Sequence, residues 1–109
     1  MIADRADVKI GGSEPKFVEI SKHIQLTCRY NASPPVLEVQ WLKDGIVIAQ
    51  NYSEISNGRV NVTQFTESQS QLLISSSTEE DEGNYGCFVT NAVGNSSDTT
   101  SVIIQGMLF

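Results

Sequence analysis

The sequence is poor in the residues that build metal and catalytic centres. Its 109 residues include two cysteines and one histidine, too few for a four-ligand zinc site. It has no Gly-rich phosphate loop between a strand and a helix, and no nucleophile beside a candidate base. The acidic run at residues 79–82 is interpreted as a solvated loop, with a weak cation site as the alternative. The sequence therefore predicts a protein that is not an enzyme and needs no cofactor.

Positive charge is also scarce. Seven Lys and Arg stand against 13 Asp and Glu, giving a net charge of −6. Nucleic acids and anionic membrane surfaces attract clustered Lys and Arg, so both are excluded as partners. No run approaches the 18 or so apolar residues that cross a bilayer, which excludes direct membrane insertion by this segment. A chain of this length and composition predicts one globular domain.

What the sequence does contain is a series of short runs in which apolar and polar residues alternate. About eight runs follow one another, and turn signals separate them every 8–12 residues, as in an all-β sandwich or small barrel. Within one of them, Leu37, Val39 and Trp41 are predicted to share an inward face. The runs are residues 7–10, 23–30, 36–43, 46–49, 57–62, 70–75, 84–91 and 97–105.

The two cysteines fall on inward faces of two of these runs. If the strands of Cys28 and Cys87 lie in opposite sheets, about 10 Å apart, their sulfur atoms can meet across the core. Such a disulfide closes a loop of roughly 60 residues and is worth about 4 kcal/mol in the chain-entropy model. Two buried thiols in a cytosolic protein are the alternative. In either case Trp41 is expected to pack beside them.

The stretch DEGNYGCFVTNAVG, residues 81–94, predicts a strand entered through a specific corner. Tyr85 points inward two residues before Cys87, so its hydroxyl can bond back to the preceding turn, as in a tyrosine corner. Gly83 is expected to allow a tight turn. Asp81 is expected to pair with Arg59, which opens another strand at the same end of the sandwich.

These features together resemble an immunoglobulin domain of the I-set. The resemblance is carried by Cys28, Trp41, Leu72-x-Ile74 and Asp81-x-Gly83-x-Tyr85-x-Cys87, followed by Asn91-x-x-Gly94. It implies an immunoglobulin-like β-sandwich over residues 7–105, with two antiparallel sheets, Greek-key connections and one inter-sheet disulfide. Residues 1–6 would then be an N-terminal linker or residues added in cloning, and residues 106–109 a C-terminal linker. Ser77 departs from the family, which usually has an aliphatic residue there, so a less filled core is expected at that end.

Four Asn-x-Ser/Thr sequons predict N-glycosylation, at Asn31, Asn51, Asn61 and Asn95. Chance would give roughly one in a chain of this composition. Asn31 is expected in the loop that precedes residue 36, and the others on loops or on the outer face of a strand, where glycans are tolerated. The sequons favour an extracellular or cell-surface location, and with it the disulfide.

A partner-binding face is predicted from three outward-pointing apolar residues. Leu42, Phe88 and Ile103 fall on the family's strands C, F and G, which are neighbours in one sheet, and an exposed apolar group there would form an interaction surface. The alternative is that neighbouring side chains cover each of them singly.

The sequence thus predicts a non-catalytic protein-binding or adhesion module from a cell-adhesion molecule or receptor ectodomain, with a receptor tyrosine kinase as one candidate parent. It would bind another protein or a second copy of itself, beside flanking immunoglobulin-like or fibronectin-type domains. The alternative is an intracellular structural I-set module of a muscle or cytoskeletal scaffold, with reduced cysteines.

Overall fold

The computed structural model describes residues 4–54 and 58–106. These residues form ten strands and one short 3₁₀ turn at Glu79–Asp81, and none of them lies in a helix long and apolar enough to span a membrane. The strands are β1 (Asp4–Ile10), β2 (Lys16–Glu19), β3 (Ile24–Ser33), β4 (Glu38–Lys43), β5 (Ile46–Gln50), β6 (Ser53–Glu54), β7 (Val60–Phe65), β8 (Gln69–Ile74), β9 (Gly83–Asn91) and β10 (Gly94–Gln105).

The strands form two sheets, which confirms the predicted all-β sandwich. One sheet has the order β1-β3-β8-β7, and the other has the order β2-β10-β9-β4-β5-β6. Every pairing is antiparallel except that of β2 with β10, which run parallel. The parallel pairing arises because the N-terminal stretch crosses from one sheet to the other between β1 and β2. It then continues alongside β10 in the same direction.

The N-terminal boundary lies earlier than predicted. β1 begins at Asp4, so residues 4–6 belong to the fold and not to a linker of residues 1–6. Ala6 is buried in the core, and the carbonyl of Asp4 accepts a hydrogen bond from Asn91 Nδ2 at 2.7 Å. At the other end β10 stops at Gln105. Residues 1–3 and 107–109 of the predicted linkers lie outside the described residues.

The core follows the predicted alternation, with one exception. Leu37 is 64% exposed, because β4 begins only at Glu38 and Leu37 belongs to the preceding connection. Val39 and Trp41, on the same predicted face, are fully buried. The buried apolar residues are Ala6, Ile10, Ile24, Leu26, Cys28, Tyr30, Val39, Trp41, Ile48, Ala49, Val60, Val62, Leu72, Ile74, Tyr85, Cys87, Val89 and Val102.

Ser77 is buried and bonded at the end of the sandwich where a less filled core was expected. Its hydroxyl donates to the carbonyl of Glu19 at 3.3 Å, and its backbone N–H donates to the carbonyl of Lys22 at 2.9 Å. Its own carbonyl accepts the N–H of Ser21. The backbone and the hydroxyl of Ser77 therefore connect the turn after β8 to the turn after β2.

Candidate protein-binding face

The disulfide joins the two sheets at the centre of the core and confirms the predicted pairing. Cys28 on β3 and Cys87 on β9 are fully buried, with an S–S distance of 2.14 Å. Trp41 lies directly opposite Cys87 in the pairing of β4 with β9. Its indole Nε1–H donates to the hydroxyl of Ser70 at 2.9 Å, and Ser70 is itself fully buried. Ser70 was not identified as a core residue from the sequence, although it lies two residues before Leu72 and points to the same inward face of its strand.

The corner before β9 is held by a hydroxyl and by an ion pair. Tyr85 donates its hydroxyl to the carbonyl of Asp81 at 2.6 Å, and burial raises the pKa of Tyr85. Arg59 donates to both carboxylate oxygens of Asp81, at 2.9 and 3.0 Å. Burial acts to raise the pKa of Asp81, but hydrogen bonds from Arg59 and from the N–H of Thr78 outweigh it, so the pKa lies below its ordinary value.

Gly83 serves this corner in a different way from the one predicted. It is not among the residues with positive φ, so no left-handed turn requires a glycine there. A Cβ at position 83 would instead lie 2.7 Å from Oδ2 of Asp44. A side chain at position 83 would therefore displace the Asp44 carboxylate from its present position.

The solvent face of the six-stranded sheet carries a shallow apolar groove. Gly86 forms its floor, between Leu42 on β4 and Thr99 on β10, which are its partners across the sheet. Phe88 lies two residues after Gly86 on β9 and therefore points to the same face of the sheet. Phe88 and Leu42 are both half-buried. The groove has a volume of about 170 Å³ and is lined by Leu42, Gly45, Asn84, Gly86, Cys87, Phe88, Ser97 and Thr99. β4, β9 and β10 correspond to strands C, F and G of the sequence interpretation.

The structure brings together two of the three residues predicted for this face. Leu42 and Phe88 line the groove, whereas Ile103 is not among its lining residues. Ile103 pairs instead with Phe17 on β2, and Phe17 is 58% exposed. Gly86 was missed by the sequence reasoning. One signal in the sequence could have indicated the groove: Gly86 occupies an outward position of its strand, between the larger residues Asn84 and Phe88 on the same face.

Larger depressions of the surface lie elsewhere. One of about 240 Å³ is lined by the charged residues Lys43, Arg59, Glu80 and Asp81. Two others, of about 530 and 370 Å³, border Asn31 on the four-stranded sheet and are lined by charged residues such as Asp7 and Glu67 together with apolar residues such as Val8. They lie beside a sequon, where a glycan would cover them. The smaller groove over Gly86 is therefore the better candidate for contact with a protein.

The four sequons occupy distinct positions on the sandwich. Asn31 lies within β3, which runs on to Ser33, and not in the loop expected from the sequence. Asn31 and Asn61 are exposed on the outer face of the four-stranded sheet, and Asn95 is exposed at the start of β10. Asn51 is half-buried in the turn after β5, and its Oδ1 accepts the N–H of Val39 at 2.9 Å. Glycosylation at these four residues stays a prediction.

Comparison with known families identifies the chain. A family model described as an immunoglobulin domain matches residues 9–91. The chain belongs to the immunoglobulin domain family. The immunoglobulin fold is generally non-catalytic. Among the described residues of this immunoglobulin domain, no three His, Cys, Asp or Glu side chains group as metal ligands.

Relatives of this immunoglobulin domain occur in proteins of very different kinds. The muscle M-line assembly protein unc-89 of Caenorhabditis elegans is 33% identical over 92 residues, which make up 84% of this chain and 1% of that protein. Platelet-derived growth factor receptor alpha of Takifugu rubripes is 33% identical over 96 residues, covering 84% of this chain and 9% of the receptor. The chain thus spans a small part of each curated relative.

A solved structure of titin domain M7 shares the fold. The two superpose with a TM-score of 0.76 at 21% identity, over 96% of this chain and 98% of the titin domain. At that identity the likeness establishes the sandwich alone. The relatives in sequence therefore include both a receptor and a muscle protein.

Proposed function

We propose that this immunoglobulin domain is a non-catalytic extracellular module that binds another protein through the solvent face of the six-stranded sheet. The groove over Gly86 carries the proposal. Leu42 and Phe88 border a floor without a side chain, so an apolar side chain of the partner can enter and be removed from water. Polar neighbours such as Asn84 and Ser97 can bond to the partner's backbone at the rim.

An extracellular location is supported by three observations. Disulfides persist in oxidising compartments, and this domain has one at its centre. Three of the four sequon asparagines, Asn31, Asn61 and Asn95, are exposed. The third observation is that the chain is similar in sequence to part of a growth factor receptor, which is the kind of protein that the sequence predicted as its parent. We propose a receptor or adhesion-molecule ectodomain, in which immunoglobulin-like or fibronectin-type domains flank this one.

The location is tested by the intact mass of the natural chain, before and after enzymatic removal of N-glycans. Loss of one or more glycan masses is expected. A bare chain with two titratable thiols would overturn the extracellular proposal. A bare chain without free thiols would agree with an extracellular location and would show that the sequons are not glycosylated.

The binding face is tested by Phe88→Asp, which places a charge beside the groove. Partner binding is expected to be lost, because an unpaired carboxylate would be buried on contact. The matched control is Leu73→Asp, which puts the same charge at a half-buried outward position of the other sheet. Equal effects of both variants on binding would count against the groove.

A gentler test raises the floor of the groove. A Cβ at position 86 would lie 3.6 Å from Cγ2 of Thr99, an ordinary van der Waals contact, so Gly86→Ala is expected to fold normally. It partly fills the groove and should weaken binding without a loss of melting temperature. Unchanged affinity would show that the partner does not reach the floor.

A second candidate function is a structural module of an intracellular muscle or cytoskeletal scaffold. The similarity to unc-89 in sequence and to titin in fold favours it. In that setting Cys28 and Cys87 would be reduced. Thiol titration of the natural protein, unfolded under non-reducing conditions, separates the two functions.

A further inference from the structure

One of the four sequons lies on the same face of the six-stranded sheet as the groove. Side chains at alternate positions of a strand point to the same face. Asn95, Ser97 and Thr99 are alternate residues of β10, and all three are exposed. Ser97 and Thr99 line the groove over Gly86. The side chain of Asn95 therefore points to solvent on the face that carries the groove.

The strand register places Asn95 at one end of this face. Asn95 lies directly opposite Thr90 on β9, and Thr90 lies opposite Glu38 on β4. Phe88, which is opposite Ser97, is the diagonal neighbour of Asn95. Diagonal neighbours in an antiparallel pair are roughly 7–8 Å apart, a distance that large side chains bridge. A bulky group attached to Asn95 therefore lies beside Thr90 and within reach of Phe88.

The opposite end of the groove lies much farther from Asn95, which is not itself one of the lining residues. Asn84 lines that end together with Gly45, and Asn84 lies opposite Ser101 on β10. Along a strand each residue adds about 3.3 Å, so the stretch of β10 from Asn95 to Ser101 spans about 20 Å. The two ends of the groove thus differ in their distance from the sequon, which is about 7 Å at Phe88 and about 20 Å at Asn84.

We infer that an N-glycan on Asn95 regulates access to the groove, because it covers the end at Phe88 and leaves the end at Asn84 open. An N-glycan is a bulky group. The apolar faces of its sugar rings can lie over the half-buried ring of Phe88, which removes apolar surface from water. An apolar side chain of the partner then enters the groove from the open end, past Gly45, whereas a chain with a bare Asn95 offers both ends. This regulation rests on the proposed function, since it requires both the glycan and a partner that enters the groove.

The coverage is tested by the reactivity of an additional cysteine on this face, in the full chain secreted from a glycosylating host. Thr90→Cys places a thiol at the covered end, and Asn84→Cys places one at the open end of the same strand. The probe is a maleimide attached to a small protein. Its reaction with Thr90→Cys should be several-fold slower in the glycosylated chain than in the same chain carrying Asn95→Gln. Its reaction with Asn84→Cys should be equally fast in both.

Two controls separate coverage from other effects. Asn61→Gln, which removes a sequon from the other sheet, should change neither rate. Reaction with the small reagent N-ethylmaleimide should change little between the forms, because it passes between the sugars. If Thr90→Cys does not fold, Glu38→Cys supplies a thiol at the same end of the face. Equal rates with and without the Asn95 glycan, or equal slowing at both ends of the groove, would overturn the inference.

Failure of the proposed function gives a different result. A natural chain with a bare mass and two free thiols would contradict the extracellular function, whereas the reaction rates of the secreted chain would still decide whether a sugar on Asn95 covers the groove. Peptide masses of the secreted chain that show Asn95 to be bare would overturn the glycan site itself.

Discussion

The carboxylate of Asp44 occupies the space that a side chain at Gly83 would require. Its Oδ2 lies 2.7 Å from the position of a Cβ there, while its Oδ1 accepts the N–H of Asn84 at 2.9 Å. The N–H of Asp44 in turn donates to the carbonyl of Asn84 at 2.8 Å. The turn between β4 and β5 is thereby fastened to the first residues of β9, beside the ion pair of Arg59 and Asp81.

Gly83→Ala is expected to lower the free energy of unfolding, because the new methyl group displaces a hydrogen-bonded carboxylate. Asp44→Gly supplies the control, since glycine tolerates the positive φ of 49° at that position. In urea unfolding, the alanine should cost much less in the Asp44→Gly background. Strictly additive effects would contradict the steric explanation.

Ser70→Ala is expected to destabilise the domain by about 1–3 kcal/mol, because it leaves the indole N–H of Trp41 buried without an acceptor. Ser70→Thr retains a hydroxyl and separates the hydrogen bond from the added bulk. Thermal or urea unfolding measures both variants. A Ser70→Ala protein as stable as wild type would mean that the indole finds another acceptor.

Asp81→Asn is expected to destabilise the domain at neutral pH by about 1.5–3 kcal/mol, because the hydrogen bonds to Arg59 lose their charge. The pKa of Asp81 is lowered in the folded protein. Its contribution is therefore full above the ordinary pKa of the carboxyl and is lost as the pH falls through the lowered value. The difference in unfolding free energy between wild type and Asp81→Asn should thus shrink on acidification. Tyr85→Phe, whose cost should not vary over that range, is the control.

Removal of the disulfide by Cys28→Ala with Cys87→Ala is expected to cost about 2–5 kcal/mol, chiefly because the unfolded chain regains its freedom. Wild type measured with and without reductant should show a loss of similar size, and the double variant should not respond to reductant. An oxidised wild type no more stable than the double variant would contradict this expectation.

The alternation of apolar residues was sufficient to predict an all-β sandwich or small barrel with both cysteines facing inward, and the resemblance to an immunoglobulin domain then implied the sandwich and its disulfide. Cys28, Trp41, Tyr85 and Cys87 follow a period of two along their strands, and burial in a two-sheet core is what that period requires. Leu37 has the same parity as Val39 but lies before the strand begins. Periodicity carries no information about where a strand ends, so this error could not be seen from the sequence.

The roles of Gly83, Gly86 and Ser70 depend on partners far away in the chain. Asp44 approaches Gly83 from another hairpin, and Trp41 reaches Ser70 from the opposite sheet. The local sequence around a glycine indicates its conformational freedom, but it does not show which distant atom occupies the space where a side chain would lie. The groove over Gly86 likewise exists only once β4, β9 and β10 lie side by side.

Trp41 is the single tryptophan of the chain and lies fully buried beside one end of the disulfide. A disulfide quenches the fluorescence of an indole beside it, and a buried indole emits at shorter wavelength than a hydrated one. Cleavage of the bridge in a folded domain should therefore brighten the emission without moving its maximum, whereas unfolding should move the maximum to the red. A single emission spectrum of Trp41 therefore reports two properties separately: its intensity reports whether the disulfide is intact, and its maximum reports whether the domain is folded.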